Sequence, residues 1–264
     1  MSQFTDETAV ERIDDDRWSA HVSDRWNIGA NPNGGYLVAI ALRALAALGP
    51  HGDPMSVTAH FLRPGSGGHD ADVHTEVVRS GRSVTTARAS LVQEGKARIE
   101  VLSAFTDFSA PSPVEHALSL PMPSIPPPDE CLVRSGLEQG VDLPILDRVD
   151  TLIHPEQARA GQVGHAEVSG WIRLADGAEP DVLSTVLFAD AFPPSLFGLL
   201  GYIGWVPTIE ITVHVRRRPA PGWVLGQFTT SDLHDGRMVE NGALWDAAGA
   251  LIAQSRQIGL LLPQ

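Results

Sequence analysis

At 264 residues, 43% of them hydrophobic and with a mean hydropathy of −0.02, the chain can bury one large core or two joined ones. A formal net charge of −13 sets its summed field against nucleic acid. The lone Cys131 leaves no intramolecular disulfide and no cysteine cluster for zinc, so neither a metal nor another cofactor is expected. The acidic opening MSQFTDETAVERIDDD lacks the apolar core of a secretion signal, and the longest apolar run, around Leu196 to Val206, is too short and glycine-broken to span a bilayer. A cytoplasmic protein without membrane insertion is the expectation.

Gly34-Gly35 opens an Ala- and Leu-rich run from Tyr36 to Leu48 that Gly49-Pro50 closes, which predicts a helix buried on nearly all sides. Four strands follow, over Ser56 to Arg63, Asp72 to Arg79, Ser83 to Gln93 and Ala97 to Phe108. The short turns between them imply an antiparallel meander. Residues 110–129 carry Pro111, Pro113, Pro121, Pro123 and Pro126-Pro127-Pro128, which reads as a linker crossing from one sheet to the next. Beyond it the order repeats: a strand near Ala166 to Leu174, an apolar helix from about Asp181, then strands near Thr208 to Arg217, Trp223 to Thr230, Arg237 to Asp246 and Ala250 to Leu261.

The repeat is visible in the residues themselves. Thr58-Ala59-His60-Phe61-Leu62-Arg63-Pro64 is echoed by Thr212-Val213-His214-Val215-Arg216-Arg217, with Pro219 one residue late. Gly81-Arg82-Ser83-Val84 is echoed by Gly236-Arg237-Met238-Val239, and Gly95 by Gly249. The first and last pairs lie 154 positions apart and the middle one 155, so one unit of about 110 residues occurs twice. An α+β arrangement follows, in which each antiparallel curved sheet wraps a long apolar helix. The units are placed at 1–108 and 161–264, with a Pro-rich linker over 109–160.

The same stretches resemble the acyl-CoA thioesterase II family, whose fold is a double hotdog, and its thioesterase-like relatives. The likeness runs through Asn33-Gly34-Gly35, Ser56 to Leu62 with Arg63-Pro64-Gly65, the Arg79-x-Gly81-x-Ser83 turn and Gln93-x-Gly95. In the second unit it runs through Ala189-Asp190, Thr208-Ile209-Glu210 and Gly249 to Gln257. The linker, and Phe192 to Val206 with Pro193-Pro194, depart from the family pattern and leave the substrate range open. The resemblance implies hydrolysis of a fatty acyl-CoA or related thioester by an activated water, without a covalent acyl-enzyme. It places the catalytic carboxylate, hydroxyl and amide on Asp190, Thr208 and Gln257.

Those groups suit the chemistry. A thioester is already electrophilic, so a positioned water, a proton acceptor and oxyanion donors suffice. Asp190 can accept the proton, while Thr208 and Gln257 orient the water through groups that both donate and accept. First-turn N–H groups at Gly34 and Gly35 would serve the carbonyl oxygen. Arg63, Arg79, Arg82, Arg216, Arg217 and Arg218, six of the chain's 18 arginines, sit at strand ends where coenzyme A phosphates could be met. Glu210, two residues from Thr208, is the alternative carboxylate, and the matched His60 and His214 read as structural. Stepping back 154 positions from Thr208 and Gln257 lands on Pro54 and Ser103, which predicts one catalytic site per chain.

No G-x-S-x-G elbow, H-E-x-x-H or Walker pattern is present, which weighs against a serine hydrolase. Two other readings stay open. One is an enoyl-thioester hydratase or dehydratase of the same fold; the other is a non-catalytic acyl-binding protein, whose three polar side chains would point apart. Trp223 and Trp245 on outer sheet faces suggest a homodimer or larger homo-oligomer.

Overall fold

The structure, a computed structural model, describes residues 2–111, 114 and 118–262. Its elements in chain order are α1 (Gln3–Glu7), β1 (Val10–Arg12), β2 (Arg17–Val22), β3 (Asn27–Ile28), β4 (Asn31–Pro32), α2 (Gly34–Ala46), β5 (Asp53–Phe61), β6 (His69–Ser80), β7 (Thr85–Gln93) and β8 (Lys96–Thr106). After the Pro-rich stretch come β9 (Leu132–Val133), α3 (Gly136–Gln139), β10 (Val149–Ile153), β11 (Glu167–Leu174), α4 (Val182–Phe188), α5 (Phe197–Leu200), β12 (Thr208–Val215), β13 (Val224–His234), β14 (Arg237–Trp245) and β15 (Leu251–Leu260). Among the described residues, thirteen strands form one antiparallel sheet in the order β1-β2-β6-β7-β8-β5-β12-β15-β14-β13-β11-β10-β9, and few helices accompany it.

Helix α2 forms where the Ala/Leu run predicts it. Asn33 caps it by accepting the Tyr36 N–H at 3.0 Å. Gly35 to Leu42, Ala44 and Leu45 are all buried, so the helix is apolar on nearly every side because the sheet and α4 together enclose it. Each large aliphatic chain buried there contributes about 1.5–3 kcal/mol. The strands that cover it alternate as a half-buried sheet demands: Thr85, Ala87, Ala89, Leu91 and Gln93 of β7 point inward in turn. Glu94 and Gly95, at φ of 52° and 70°, make the tight turn that carries β7 into β8.

Sheet order reads alike outward from the β5–β12 junction. On one side lie β8, β7, β6 and β2, on the other β15, β14, β13 and β11. Thr58 stands opposite Thr212, and their hydroxyls meet at 3.0 Å, so the two residues matched in the repeat touch each other.

Three expectations need correction. The second helix is not long: α4 spans seven residues, and Pro193-Pro194 bar it from continuing beyond Phe192. Residues 109–160 are not linker throughout, since β10 joins the sheet by pairing with β11 from Val149↔Leu174 to Ile153↔Gly170. Trp245 is not on an exposed face. The Pro-rich stretch runs over it, and its indole N–H donates to the Leu120 carbonyl at 3.0 Å, as Trp171 donates to that of Pro126 at 2.9 Å. A proline-rich segment retains its carbonyls as acceptors, and that is what the two indoles use. No described helix is long and apolar enough to cross a membrane.

Candidate active site

The short helix α4 brings Asp190 to the N-terminus of α2. Asp181 caps α4 by accepting from the Leu183 and Ser184 N–H groups, and the helix stops at Ala189, one residue before the carboxylate. Asp190 Oδ2 accepts the Gly35 N–H at 2.8 Å and the Asn33 side-chain amide at 2.9 Å; that amide also donates to the Asp190 carbonyl. The approach is close enough to exclude side chains from α2. A Cβ on Gly35 would lie 3.0 Å from Leu187 Cα, and one on Gly34 would lie 2.7 Å from the Phe61 ring and 3.0 Å from Asp190 Oδ2.

Asp190 is enclosed by protein except where it faces a cavity of about 250 Å³. Burial raises its pKa to about 6, the Gly35 N–H opposes that rise, the charge of Glu240 adds to it, and the Asn33 amide and Gly34 N–H oppose it further. At neutral pH it is therefore mostly ionised yet a stronger base than an ordinary carboxylate.

Thr208 and Gln257 line the same cavity as Asp190. Thr208 opens β12 opposite Gly259, and Gln257 lies on the adjacent β15. Thr208 Oγ1 donates to Gln257 Oε1 at 3.0 Å, and Gln257 Nε2 donates to Glu240 Oε1 at 2.5 Å. The other oxygen of Glu240 accepts the Ser195 N–H at 2.6 Å, and Ser195 Oγ lies 2.7 Å from Thr230 Oγ1. Glu240 is 3% exposed and its pKa is raised by burial, against the donors from Ser195 and Gln257. Both oxygens of Glu240 accept in this arrangement, so it turns the amide N–H₂ toward itself and the amide oxygen toward Thr208. The Thr208 hydroxyl must then donate inward, and its lone pairs are left for a group in the cavity.

Glu240 was not among the residues singled out from the sequence, although alternation along β14 places it on the inward face with Met238. Arg134, just after β9, was also missed and also lines the cavity. No sequence signal marks it, because only the path of residues 109–160 brings it there.

The other candidates separate. A β-bulge between Thr208 and Glu210 breaks the alternation that put both on one face. Glu210 instead accepts from Thr212 Oγ1 at 2.7 Å on the sheet's other side, so it is no substitute for Asp190. His60 and His214 are exposed. Gly34 lines the cavity, and its N–H, like that of Gly35, is turned toward Asp190 rather than left for a substrate carbonyl. Arg63 lines the cavity mouth; Arg79, Arg82, Arg216 and Arg217 are exposed and do not line it, and Arg218 pairs with the buried Asp53 at 2.9 Å.

Fold and site together define a thioesterase of hotdog architecture. The chain belongs to the acyl-CoA thioesterase family: residues 22–109 match the family's N-terminal domain and residues 120–261 its C-terminal domain. It is similar to a protein from Thermobifida fusca proposed to be a thioesterase II, at 32% identity and a TM-score of 0.90, covering 100% of this chain and 98% of that one. A hotdog-fold protein of unknown function from Alicyclobacillus acidocaldarius superposes with a TM-score of 0.86 at 21% identity, over 100% and 99% of the two chains. An acyl-CoA thioesterase II from Mycobacterium marinum does so at 0.77 and 20%, over 99% and 98%. These last two likenesses speak for the fold alone.

Proposed function

We propose that the protein hydrolyses acyl-CoA to a free acid and coenzyme A through a water activated by Asp190, Thr208 and Gln257. The observation that carries this reading is the hydrogen-bonded chain from Ser195 through Glu240 and Gln257 to Thr208, ending on the cavity that Asp190 also faces. Side chains of a protein that merely bound acyl groups would have no need to converge in this way.

A water in that cavity donates one proton to Asp190 and the other toward the free lone pairs of Thr208. The second N–H of Gln257 holds one of its lone pairs, and the remaining lone pair attacks the thioester carbonyl carbon. Asp190 takes the proton as the C–O bond forms. The tetrahedral intermediate then collapses, the C–S bond breaks, and the leaving thiolate takes the proton held by Asp190, which restores the carboxylate. With the Gly35 and Gly34 N–H groups both turned toward Asp190, the N-terminus of α2 serves the base rather than the oxyanion. Arg63 at the mouth suits a coenzyme A phosphate.

The sheet is read as two tandem hotdog units joined at β5 and β12, with β9 and β10 extending the second unit's side of the sheet. Free-thiol release from acyl-CoAs of increasing chain length, comparing the wild type with Asp190→Ala and Gln257→Ala, tests the reading. Turnover that survives both substitutions in folded protein would exclude the assigned site.

A further inference from the structure

Asn33 does more than cap α2. Its Oδ1 accepts the Tyr36 N–H at 3.0 Å, and that bond settles which end of the amide is left for other partners. Nδ2 is therefore turned to Asp190, where it donates to the side-chain Oδ2 and to the main-chain carbonyl, each at 2.9 Å. One nitrogen thus ties the carboxylate to its own backbone and stops it from swinging. Asn33 is itself held: it is buried, its N–H donates to the Trp26 carbonyl at 2.9 Å, and the Trp26 ring stacks on Tyr36 at 5.1 Å between centroids.

This grip makes the two oxygens of Asp190 unequal. Oδ2 takes the Gly35 N–H and the Asn33 amide. Oδ1 takes no hydrogen bond among the described residues, yet it is not enclosed, so its lone pairs open on the cavity that Thr208 and Gln257 line.

We propose that Asn33 is the positioning residue of the base, reaching from the first half of the chain to occupy Asp190 Oδ2 so that Oδ1 takes the proton of the water. This deepens the thioesterase reading and rests on it. The charged groups facing the same cavity are Glu240 on β14, Arg134 after β9 and Arg63 after β5, while Tyr36 on α2 directs its hydroxyl to the Glu7 carbonyl. Substitution at Asn33 leaves all of them in place.

Asn33→Ser and Asn33→Asp test the proposal, because both keep a cap oxygen for α2 and remove the donor to Asp190. Free-thiol release is followed against pH with whichever of butyryl-, octanoyl- and palmitoyl-CoA the wild type hydrolyses fastest. Without a hydrogen bond to its charged form Asp190 is harder to ionise, so the acid limb of kcat/KM, near pH 6 in the wild type, should rise by about one pH unit in Asn33→Ser. In Asn33→Asp it should rise further, since two carboxylates then meet where the hydrogen bond was and cannot both ionise. At the plateau kcat should fall about tenfold in both, with KM within about twofold. An acid limb unmoved in both variants, or a loss confined to KM, overturns the proposal, because a cap with no hold on the base would give that. If neither variant folds, the wild type decides: the side-chain nitrogen resonance of Asn33 must titrate with the Asp190 carboxyl, and one indifferent to pH overturns the proposal. The Asp190 carboxyl carbon resonance, identified by its loss in Asp190→Asn, separates the two failures. A midpoint that rises in the variants while no acyl-CoA is turned over leaves the Asn33 contact standing and removes the hydrolysis; turnover with an unmoved midpoint removes the positioning alone.

Discussion

Glu240 settles which way the Gln257 amide faces, because its Oε1 accepts from that amide while its Oε2 accepts the Ser195 N–H. Replacing it by Gln removes the obligatory acceptor, so the Gln257 amide can turn over and the Thr208 hydroxyl no longer has to donate inward. Glu240→Gln is therefore expected to lower kcat about tenfold, roughly 1.4 kcal/mol, with KM little changed; an unchanged kcat in steady-state kinetics would remove Glu240 from the positioning chain. Its charge also raises the pKa of Asp190, so the acid limb of kcat/KM, near pH 6 in the wild type, should move to lower pH in this variant. Asp190 carries a second, thermodynamic signature. A carboxyl whose pKa is raised in the fold costs nothing below its ordinary value of 3.8, and the cost is complete above about 6. Asp190→Asn should thus be more stable than the wild type at pH 8, by up to about 3 kcal/mol, and lose that advantage near pH 4. Denaturant titrations at the two pH values check the sign. At this scale the sequence and its family likeness pointed to three residues, Asp190, Thr208 and Gln257, that line one cavity. Glu240 was legible in the alternation of β14 and overlooked, while Arg134 left no local trace, because its burial is a matter of where the linker runs.

At the scale of elements, the site depends on two helices meeting at one end. The positive N-terminus of α2 and the end of α4 are held by the Asp190 carboxylate, and Gly35 is what allows the contact. A Cβ there would press on the Cα and carbonyl oxygen of Leu187, which are backbone atoms and cannot rotate away. Gly35→Ala is expected to push α4 off α2, costing about 1–3 kcal/mol and breaking the Asp190 contact, so that kcat falls more steeply than stability. Thermal melts and kinetics on the same sample would check it; a fully active variant would mean that the helix contact does not position the base. Helix α2 was legible from composition and its Gly-Pro stop. The length of α4 was not, since an apolar run says little about where Asp190 and Pro193-Pro194 end it. Nor was the bulge at Ile209, which turned Glu210 away, because strand alternation has no sign for an inserted residue.

Across the whole molecule, the repeat explains both the symmetry of the sheet and its breaking at the site. Thr58 and Thr212 face each other, so matching strands flank the junction on either side. The echoed glycines and arginines made this legible. The course of the Pro-rich stretch over Trp171 and Trp245 was not, since prolines mark what a segment cannot become rather than where it goes. Where the second half holds its polar chain, the first half is closed: Ser103, matching Gln257, donates to the Ser56 carbonyl at 2.9 Å, and Pro54, matching Thr208, has no hydroxyl. Thr85, matching Glu240 at the 155-residue offset, bonds to His51 Nδ1 at 2.8 Å. The counterpart of Glu240 is thus a hydroxyl already bonded within the protein. Calorimetric titration with a non-hydrolysable acyl-CoA thioether should accordingly saturate at one ligand per chain, and Gln257→Ala, which touches only one half, should abolish turnover rather than halve it. Two equivalents bound, or half the activity retained, would mean that the first half also carries a working site.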